Sequence, residues 1–339
     1  MAEPIAPAAV RNRAAGALLG TAAGDALGAG YEFGEPMAAD APVEMRGGGG
    51  FGWAPGEWTD DTAMALVIAD AAATGDLRDE AVQDRIAAGW AEWARDATDV
   101  GVQTKKVLTA AAAAAGGVPT AKHLRAAATE LHAGTSRTAG NGSLMRTAPV
   151  ALAYLGDAEA CAEAAFGLSS LTHADPEAGE ACVLWSLAIR HTVLTGELDA
   201  RVGLLGLPVE AREKWLRRLN EAEREPATTF RDNGWVVHAL QAAWACILQT
   251  PVLPYDPDQH LVDALENCVR AGGDTDTVAA IAGGLLGACH GMGAIPQDWA
   301  DVLHGWPGRS TDDLVHQARE LAAASWAEDP DAELFDLPE

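Results

Sequence analysis

Tyrosine and phenylalanine are scarce in this 339-residue chain, with 3 and 5 copies. That scarcity of tyrosine and phenylalanine, beside many alanine-rich runs, disfavours a large β-sheet and favours helices. Basic residues are also short: 23 Lys and Arg stand against 49 Asp and Glu, a formal charge of −26. A field of that sign repels nucleic-acid backbones and anionic membranes, so neither is expected as a partner. Much of the acidity also reads simply as a solvated surface. The five cysteines, Cys161, Cys182, Cys246, Cys268 and Cys289, include no Cys-x-x-Cys pair. An odd number on apolar, helix-like segments reads as buried thiols in a reducing compartment, not as disulfides or zinc ligands. The opening MAEPIAPAAVRNR lacks the apolar run of a signal peptide, so a cytoplasmic location is expected. The apolar stretch 14–30 is broken by Asp25 and by repeated glycines, which argues for a close-packed soluble helix over a membrane span.

What the chain does have is apolar residue content, 49%, in the range of a globular protein. Helical periodicity predicts helices over 10–28, 60–74, 78–96, 102–115, 121–132, 144–155, 158–171, 176–195, 208–222, 233–249, 260–270, 276–290 and 311–327. Three stretches read as irregular: 31–58 with GGGGFGWAPGEW, 134–143 with GTSRTAGNGS, and the proline-rich 250–258. No strand alternation persists, and no repeat of 20–50 residues is present. The polar segment 200–232 reads as a surface excursion within one domain, since no linker composition separates two cores.

Glycine recurs every fourth residue at Gly16, Gly20, Gly24 and Gly28, and again at Gly283, Gly287 and Gly291. Residues four apart share a helix face, so each run forms a smooth stripe that lets another backbone approach. Each glycine costs a helix about 1 kcal/mol relative to alanine, which tight packing would offset. The two helices are expected in the same core, against each other in the simplest arrangement; drift in an Ala/Gly-rich chain is the other reading.

Two acidic motifs echo each other, Thr59-Asp60-Asp61-Thr62 and Asp274-Thr275-Asp276-Thr277. Each is a capping hydroxyl or carboxylate followed by acids in a first helical turn, a pattern that capping and the helix dipole explain on their own. Their repetition suggests more. If the motifs met in space, four carboxylates and two hydroxyls would share a small volume, and several would have to protonate unless cations were present. With two divalent ions the set becomes an all-oxygen dinuclear site, which favours Mg²⁺ or Mn²⁺ over Zn²⁺.

In order along the chain, GALLGTAAGDALGAGYEF (16–33), WTDDTAMAL (58–66), Asp99-Val100-Gly101, GNGSLMRTAPVAL (140–152), SLTHAD (170–175) and GGDTDTVAAIAGGLLGA (272–288) resemble the ADP-ribosylglycohydrolases. The resemblance spans about 11–291. It leaves 292–339 as a C-terminal helical extension of one domain, 1–339. It implies an all-α fold, a compact single-domain orthogonal helix bundle, with a central dinuclear metal site holding two divalent cations, Mg²⁺ or Mn²⁺.

By that resemblance Thr59, Asp60, Asp61, Asp274, Asp276 and Thr277 look like the metal ligands. Glu32 and Asp99 look like the catalytic carboxylates, although Glu32 also reads as a solvated loop residue and Asp99 as an N-cap of 102–115. Gly140, Asn141, Gly142 and Ser143 resemble a loop near the diphosphate, whose backbone N–H groups precede a predicted helix; the same residues read equally as a glycine turn with a serine cap. His173 resembles a residue on the adenosine side of the cleft, and Asp25, too costly to bury unpaired, is expected behind the metal ligands.

The implied activity is metal-dependent cleavage of the N-glycosidic bond of ADP-ribosyl-arginine, with ADP-ribosylated protein or another ADP-ribose conjugate as partner. The transition state would be oxocarbenium-like, with Asp99 or Glu32 handling protons and helix N-termini favouring the anionic diphosphate. The alternatives are a sibling acting on serine-linked ADP-ribose, O-acetyl-ADP-ribose or another conjugate, a phosphohydrolase using the same metals, and a non-catalytic ADP-ribose-binding or crystallin-like relative. The last would have lost a ligand position, and all six are present.

Overall fold

The computed structural model describes residues 7–135 and 137–326. The two ends of the expected 1–339 domain, residue 327 of the last expected helix and Ser136 of the glycine-rich loop lie outside the described residues. Helices follow one another along the chain: α1 (Ala8–Gly28), α2 (Asp60–Ala72), α3 (Glu80–Asp96), α4 (Val102–Ala115) and α5 (Ala121–Gly134). Then come α6 (Ala148–Ala153), α7 (Ala158–Ser169), α8 (Pro176–Thr195), α9 (Val209–Ala222) and α10 (Val236–Gln249). The series closes with α11 (Gln259–Ala271), α12 (Thr275–His290), α13 (Gln297–Val302) and α14 (Thr311–Ser325). A two-residue hairpin, β1 (His304–Gly305) with β2 (Arg309–Ser310), is the one sheet among the described residues, so the fold is all-α.

The glycine stripes meet. A Cβ placed on Gly16 would strike the carbonyl of Gly287, one on Gly20 the carbonyl of Gly283, and one on Gly24 the carbonyl of Ala279. From the other side, Gly283 and Gly287 press on the carbonyls of Gly20 and Gly16. Helices α1 and α12 therefore run antiparallel with backbone against backbone. Gly28, at the end of the seam, lies against the backbone of Thr275 and Asp276. Around this pair pack α8, α10, α11 and α14. α2 reaches the same centre and carries α3 and α6 on its other sides. A continuous cluster of buried apolar side chains runs from Val10 to Ala322.

Element ends mostly fall within a few residues of those read from the sequence. The helix expected over 144–155 is different: it begins at Ala148, and Asn141–Ser143 form a 3₁₀ turn instead. Pro149 in the first turn of α6 explains this, because proline suits a helix start and disfavours helical geometry just before it. α13 and the hairpin are too short to leave a periodic signal. In 200–232, α9 turns charged residues outward and buries Ala211, Trp215, Leu219 and Ala222 at helical spacing. All five cysteines are free thiols, four of them buried. No helix among the described residues is long and apolar enough to cross a membrane.

The seam gives a direct test. In an open helix position Gly→Ala stabilises by about 1 kcal/mol, but Gly20→Ala has nowhere to put its methyl and is expected to destabilise by about 1–3 kcal/mol in urea unfolding. The control Gly117→Ala, whose methyl would meet nothing within 4 Å, should stay within about 0.5 kcal/mol of the parent. Equal midpoints for the two variants would contradict the backbone contact.

Candidate functional site

At the end of the seam, the N-termini of α2 and α12 converge on the C-terminal half of α1. Thr59 occupies the N-cap position of α2, but its hydroxyl does not cap the helix. Asp25, fully buried on α1, does so from outside the segment. Its Oδ1 accepts from the Thr59 N–H at 2.9 Å and the Thr59 hydroxyl at 2.8 Å. Its Oδ2 accepts from the Thr62 N–H at 2.9 Å and the Thr62 hydroxyl at 2.6 Å. One carboxylate thus joins α1 to the first turn of α2, satisfying donors that would otherwise be orphaned. Burial pushes its pKa up to about 6 against the opposing pull of those four hydrogen bonds.

Asp274 caps α12 by position. The tight turn before it needs Gly272 and Gly273, both at positive φ, where a side chain would be strained. Asn233 holds this turn: its Nδ2 donates to the Gly272 carbonyl at 2.9 Å and its Oδ1 accepts from the Asp274 N–H at 3.0 Å. Asn141 donates to Asp274 Oδ2 at 2.7 Å and to the Asn233 carbonyl at 2.8 Å. Glu32 is brought to the same place by the 3₁₀ turn after α1, where the Phe33 N–H donates to the Gly273 carbonyl at 2.6 Å.

The carboxylates fall into two groups, each compact enough for its oxygens to surround one ion. Asp25, Asp61 and Asp276 offer oxygens within 4.8 Å of one another, and so do Glu32, Asp274 and Asp276. Asp276 belongs to both. Thr59 stands beside the first group, its hydroxyl oxygen 3.2 Å from Asp61 Oδ2, while Asp60 and Thr277 line the adjoining cleft.

Burial, reinforced by mutual repulsion, raises Asp60, Asp61 and Asp276 well above the ordinary carboxylate range. Glu32 rises to about 9 from the same causes, burial first and then repulsion led by Asp274 and Asp99. Desolvation, then Asp274, also raises Asp99, against a backbone hydrogen bond from Val100 and the charge of Lys105. Two carboxylate oxygens, Glu32 Oε2 and Asp61 Oδ1, are buried without a hydrogen-bond partner. Orphaned oxygens among repelling carboxylates are what a hard divalent cation satisfies, so these residues fit such ions.

A cleft of about 620 Å³ opens from this cluster. Glu32, Asp60, Asp99, Asp274, Asp276 and Thr277 form its acidic end, and Gly140, Asn141, Gly142 and His173 line its other side. Asp99 is not the cap of α4, a position held by Gly101, and its carboxyl faces the cleft. Gly140 and Gly142 lie against the His173 ring. Burial and the charge of Arg146 push the His173 imidazole down to about 3, so it is neutral at physiological pH.

Ser143 departs from the sequence expectation. Its hydroxyl is buried, accepting from Ser169 at 2.9 Å and from the Cys182 thiol at 3.5 Å, so it does not face the cleft. The 3₁₀ turn rotates it inward, and because α6 starts later, no helix N-terminus follows the loop directly.

Sequence reasoning passed over Asn233, Gln103 and Arg146. Gln103 lines the cleft and donates to the carbonyls of Thr138 and Thr172, at 3.0 and 3.1 Å. Arg146 is buried 3.9 Å over the Trp90 ring and donates to the Thr172 hydroxyl at 2.7 Å; that hydroxyl also lies 2.7 Å from His173 Nδ1. A lone arginine in the apolar run LMRTAPVAL was the available signal.

A helical fold that gathers acidic helix N-termini beside a cleft suits metal-assisted hydrolysis, and the family match specifies the bond as glycosidic. The chain belongs to the ADP-ribosylglycohydrolase family, whose model matches residues 6–330. It is 30% identical over 305 residues to the ADP-ribosylarginine hydrolase Tri1 of Pseudomonas putida (strain GB-1), covering 88% of this chain and 76% of that protein. It is 29% identical over 312 residues to the ADP-ribosyl-[dinitrogen reductase] glycohydrolase of Rhodospirillum rubrum, covering 87% and 91%. A solved structure titled "ADP-ribosylglycohydrolase-related protein complex" superposes with a TM-score of 0.73 at 30% identity, over 94% of this chain and 99% of that one.

The pKa shifts carry a sign. Asp25 and Glu32 are raised in the fold, so their contribution to stability is whole below the unfolded value of about 4 and is lost as pH climbs through about 6 and about 9. Metal-free protein should therefore lose thermal stability from pH 6.5 to 8, with a shallower loss in Glu32→Gln and a flattened profile when Mg²⁺ is added. Calorimetry in EDTA and in Mg²⁺ checks this; a flat metal-free profile would count against the charge crowding.

Proposed function

We propose that this enzyme removes ADP-ribose from arginine side chains of proteins, with two divalent cations, Mg²⁺ or Mn²⁺, held by Thr59, Asp60, Asp61, Asp274, Asp276 and Thr277. The observation that carries the metal reading is the pair of carboxylate groups sharing Asp276, which contain Asp61, Asp274 and Asp276 of this set together with Asp25 and Glu32, and which include two partnerless buried oxygens. The arginine linkage is supported by the Tri1 relative, whose name specifies ADP-ribosylarginine, and by the Asp99-Val100-Gly101 turn. The expected setting is one domain in the cytoplasm.

When bound, the cations would supply positive charge that holds ribose hydroxyls beside the scissile bond. The remaining work belongs to the protein. Asp274 is oriented by Asn141 and Asn233, and Asp25 holds the Thr59 and Thr62 end of α2 behind the site. Gly140 and Gly142 let the His173 ring pack against the loop backbone, and neutral His173 lines the wall without adding charge. Glu32 and Asp99 line the cleft, so either is placed to deliver a proton to the leaving nitrogen or take one from water as the glycosidic bond breaks.

Release of ADP-ribose from arginine-ADP-ribosylated protein, followed chromatographically, tests the proposal. Release should require Mg²⁺ or Mn²⁺, stop in EDTA, and fall about a hundredfold or more in Asp276→Ala or Asp60→Ala. Full activity in EDTA or in either variant would sink it.

A further inference from the structure

A second cavity, of about 700 Å³, lies on the far side of Asp60 and Asp99, which line both spaces. The function proposed above uses only the first. The second is walled by the segment entering α2, by the end of α3 and by the β1–β2 hairpin. The wall is prebuilt. The Trp58 N–H donates to the His304 carbonyl at 3.0 Å, the His304 N–H returns to the Gly56 carbonyl at 3.0 Å, and Trp58 Nε1 donates to the Trp306 carbonyl at 3.0 Å. Gly305 is packed so closely on the Trp58 indole that a Cβ there would collide with it.

The lining has a particular chemistry. Trp53 and Trp306 are its partly exposed tryptophans, Trp58 and Trp93 are buried, and Glu57, Asp96, Asp99 and Asp313 are its carboxylate residues. Arg309 is the counter-charge at the rim, but its guanidinium is engaged with both oxygens of Asp70 at 2.7 and 2.9 Å, and with Gln317 at 2.8 Å. Glu57 and Asp313 are likewise engaged, accepting from the Ala54 N–H and from the Ser310 N–H and hydroxyl, each at 2.8 Å, so Asp96 and Asp99 carry the acidity beside the indoles. A planar cation with several N–H donors suits such walls, because it stacks on indole and pairs with carboxylates; a neutral hydroxyl side chain would gain neither.

We propose that this cavity is the subsite for the guanidinium side chain of the substrate protein, with Asp96 and Trp306 as specificity-determining residues. The assignment rests on the reading that ADP-ribose occupies the first cleft. The scissile bond then lies at the Asp60–Asp99 divide, and the two halves of the substrate lie in different spaces. Selectivity for arginine over serine conjugates would arise here and not at the carboxylate cluster.

Steady-state kinetics on an ADP-ribosylated arginine peptide, run with calorimetric titration of ADP-ribose, tests it in Asp96→Asn and Trp306→Ala. Asp96 is exposed, so its variant folds even if the tryptophan variant does not. The expected result is a KM raised roughly tenfold with kcat and ADP-ribose affinity unchanged; an unchanged KM in both variants overturns the subsite while leaving the hydrolase reading intact. A separate arm adds agmatine to ADP-ribose-loaded protein and follows tryptophan fluorescence. A saturable response that weakens in Asp96→Asn supports the subsite even if the peptide is not cleaved, in which case it is the linkage reading that fails. No saturable response overturns the subsite.

Discussion

The contact on which the rest depends is the one between α1 and α12, where two backbones touch without side chains between them. Glycine at four-residue spacing weakens each helix taken alone, and close packing at crystal-like density offsets that loss. The arrangement fixes the relative position of the two helices through rigid main chain instead of adjustable rotamers. At one end of the seam, Gly28 lies on Thr275 and Asp276. The C-terminal end of α1 and the first turn of α12 are thereby held in mutual register, and Asp25, Glu32 and Asp276 come within reach of one another.

That register assembles charges that repel. Asp25, Asp60, Asp61 and Asp276 are all buried, in a protein that is already strongly acidic. Hydrogen bonds relieve Asp25 and Asp274, but not Glu32 Oε2 or Asp61 Oδ1. The surroundings of the cluster are tuned to leave its negative potential in place. The nearby histidine is kept neutral, and the buried Arg146, which keeps its charge, stacks on Trp90 and donates to the Thr172 hydroxyl, so it offsets the cluster only from a distance. A site with this balance stays attractive to cations while the whole-chain field repels anions.

Most of the helices were legible because burial imposes a period of 3.6 on their apolar positions, and the acidic motifs because they recur with the same cap-and-first-turn spacing. The glycine stripes announced their partner by matching it. What the residues alone did not disclose was direction. Ser143 sits in a loop that reads as cleft-facing, yet a 3₁₀ turn sends its hydroxyl to Ser169. Thr59 reads as a cap, yet its donor goes to Asp25, 34 residues away in the chain. Asn141 and Asn233 are ordinary turn residues until the fold sets them on either side of Asp274. The β1–β2 hairpin is two residues long on each side, too short to leave a pattern, and its meaning lies in what it covers.

Asp25 bears on the long glycine-rich loop as well. Because that carboxylate ties α1 straight to the first turn of α2, the connection between the helices is made twice, once through space and once along the chain. Glu32 is held separately, by the bond from Phe33 to Gly273. The intervening stretch is itself anchored, since the Met37 N–H donates to the Arg270 carbonyl, Val43 and Met45 are buried, and Phe51 and Trp53 line the two spaces. Lengthening such a loop costs little in closure entropy, about 0.6 kcal/mol per doubling. A Cβ at Gly48, Gly50 or Gly52 would meet nothing within 4 Å, so the glycine tip alone is the part that can change to suit different protein surfaces without disturbing the chemical centre.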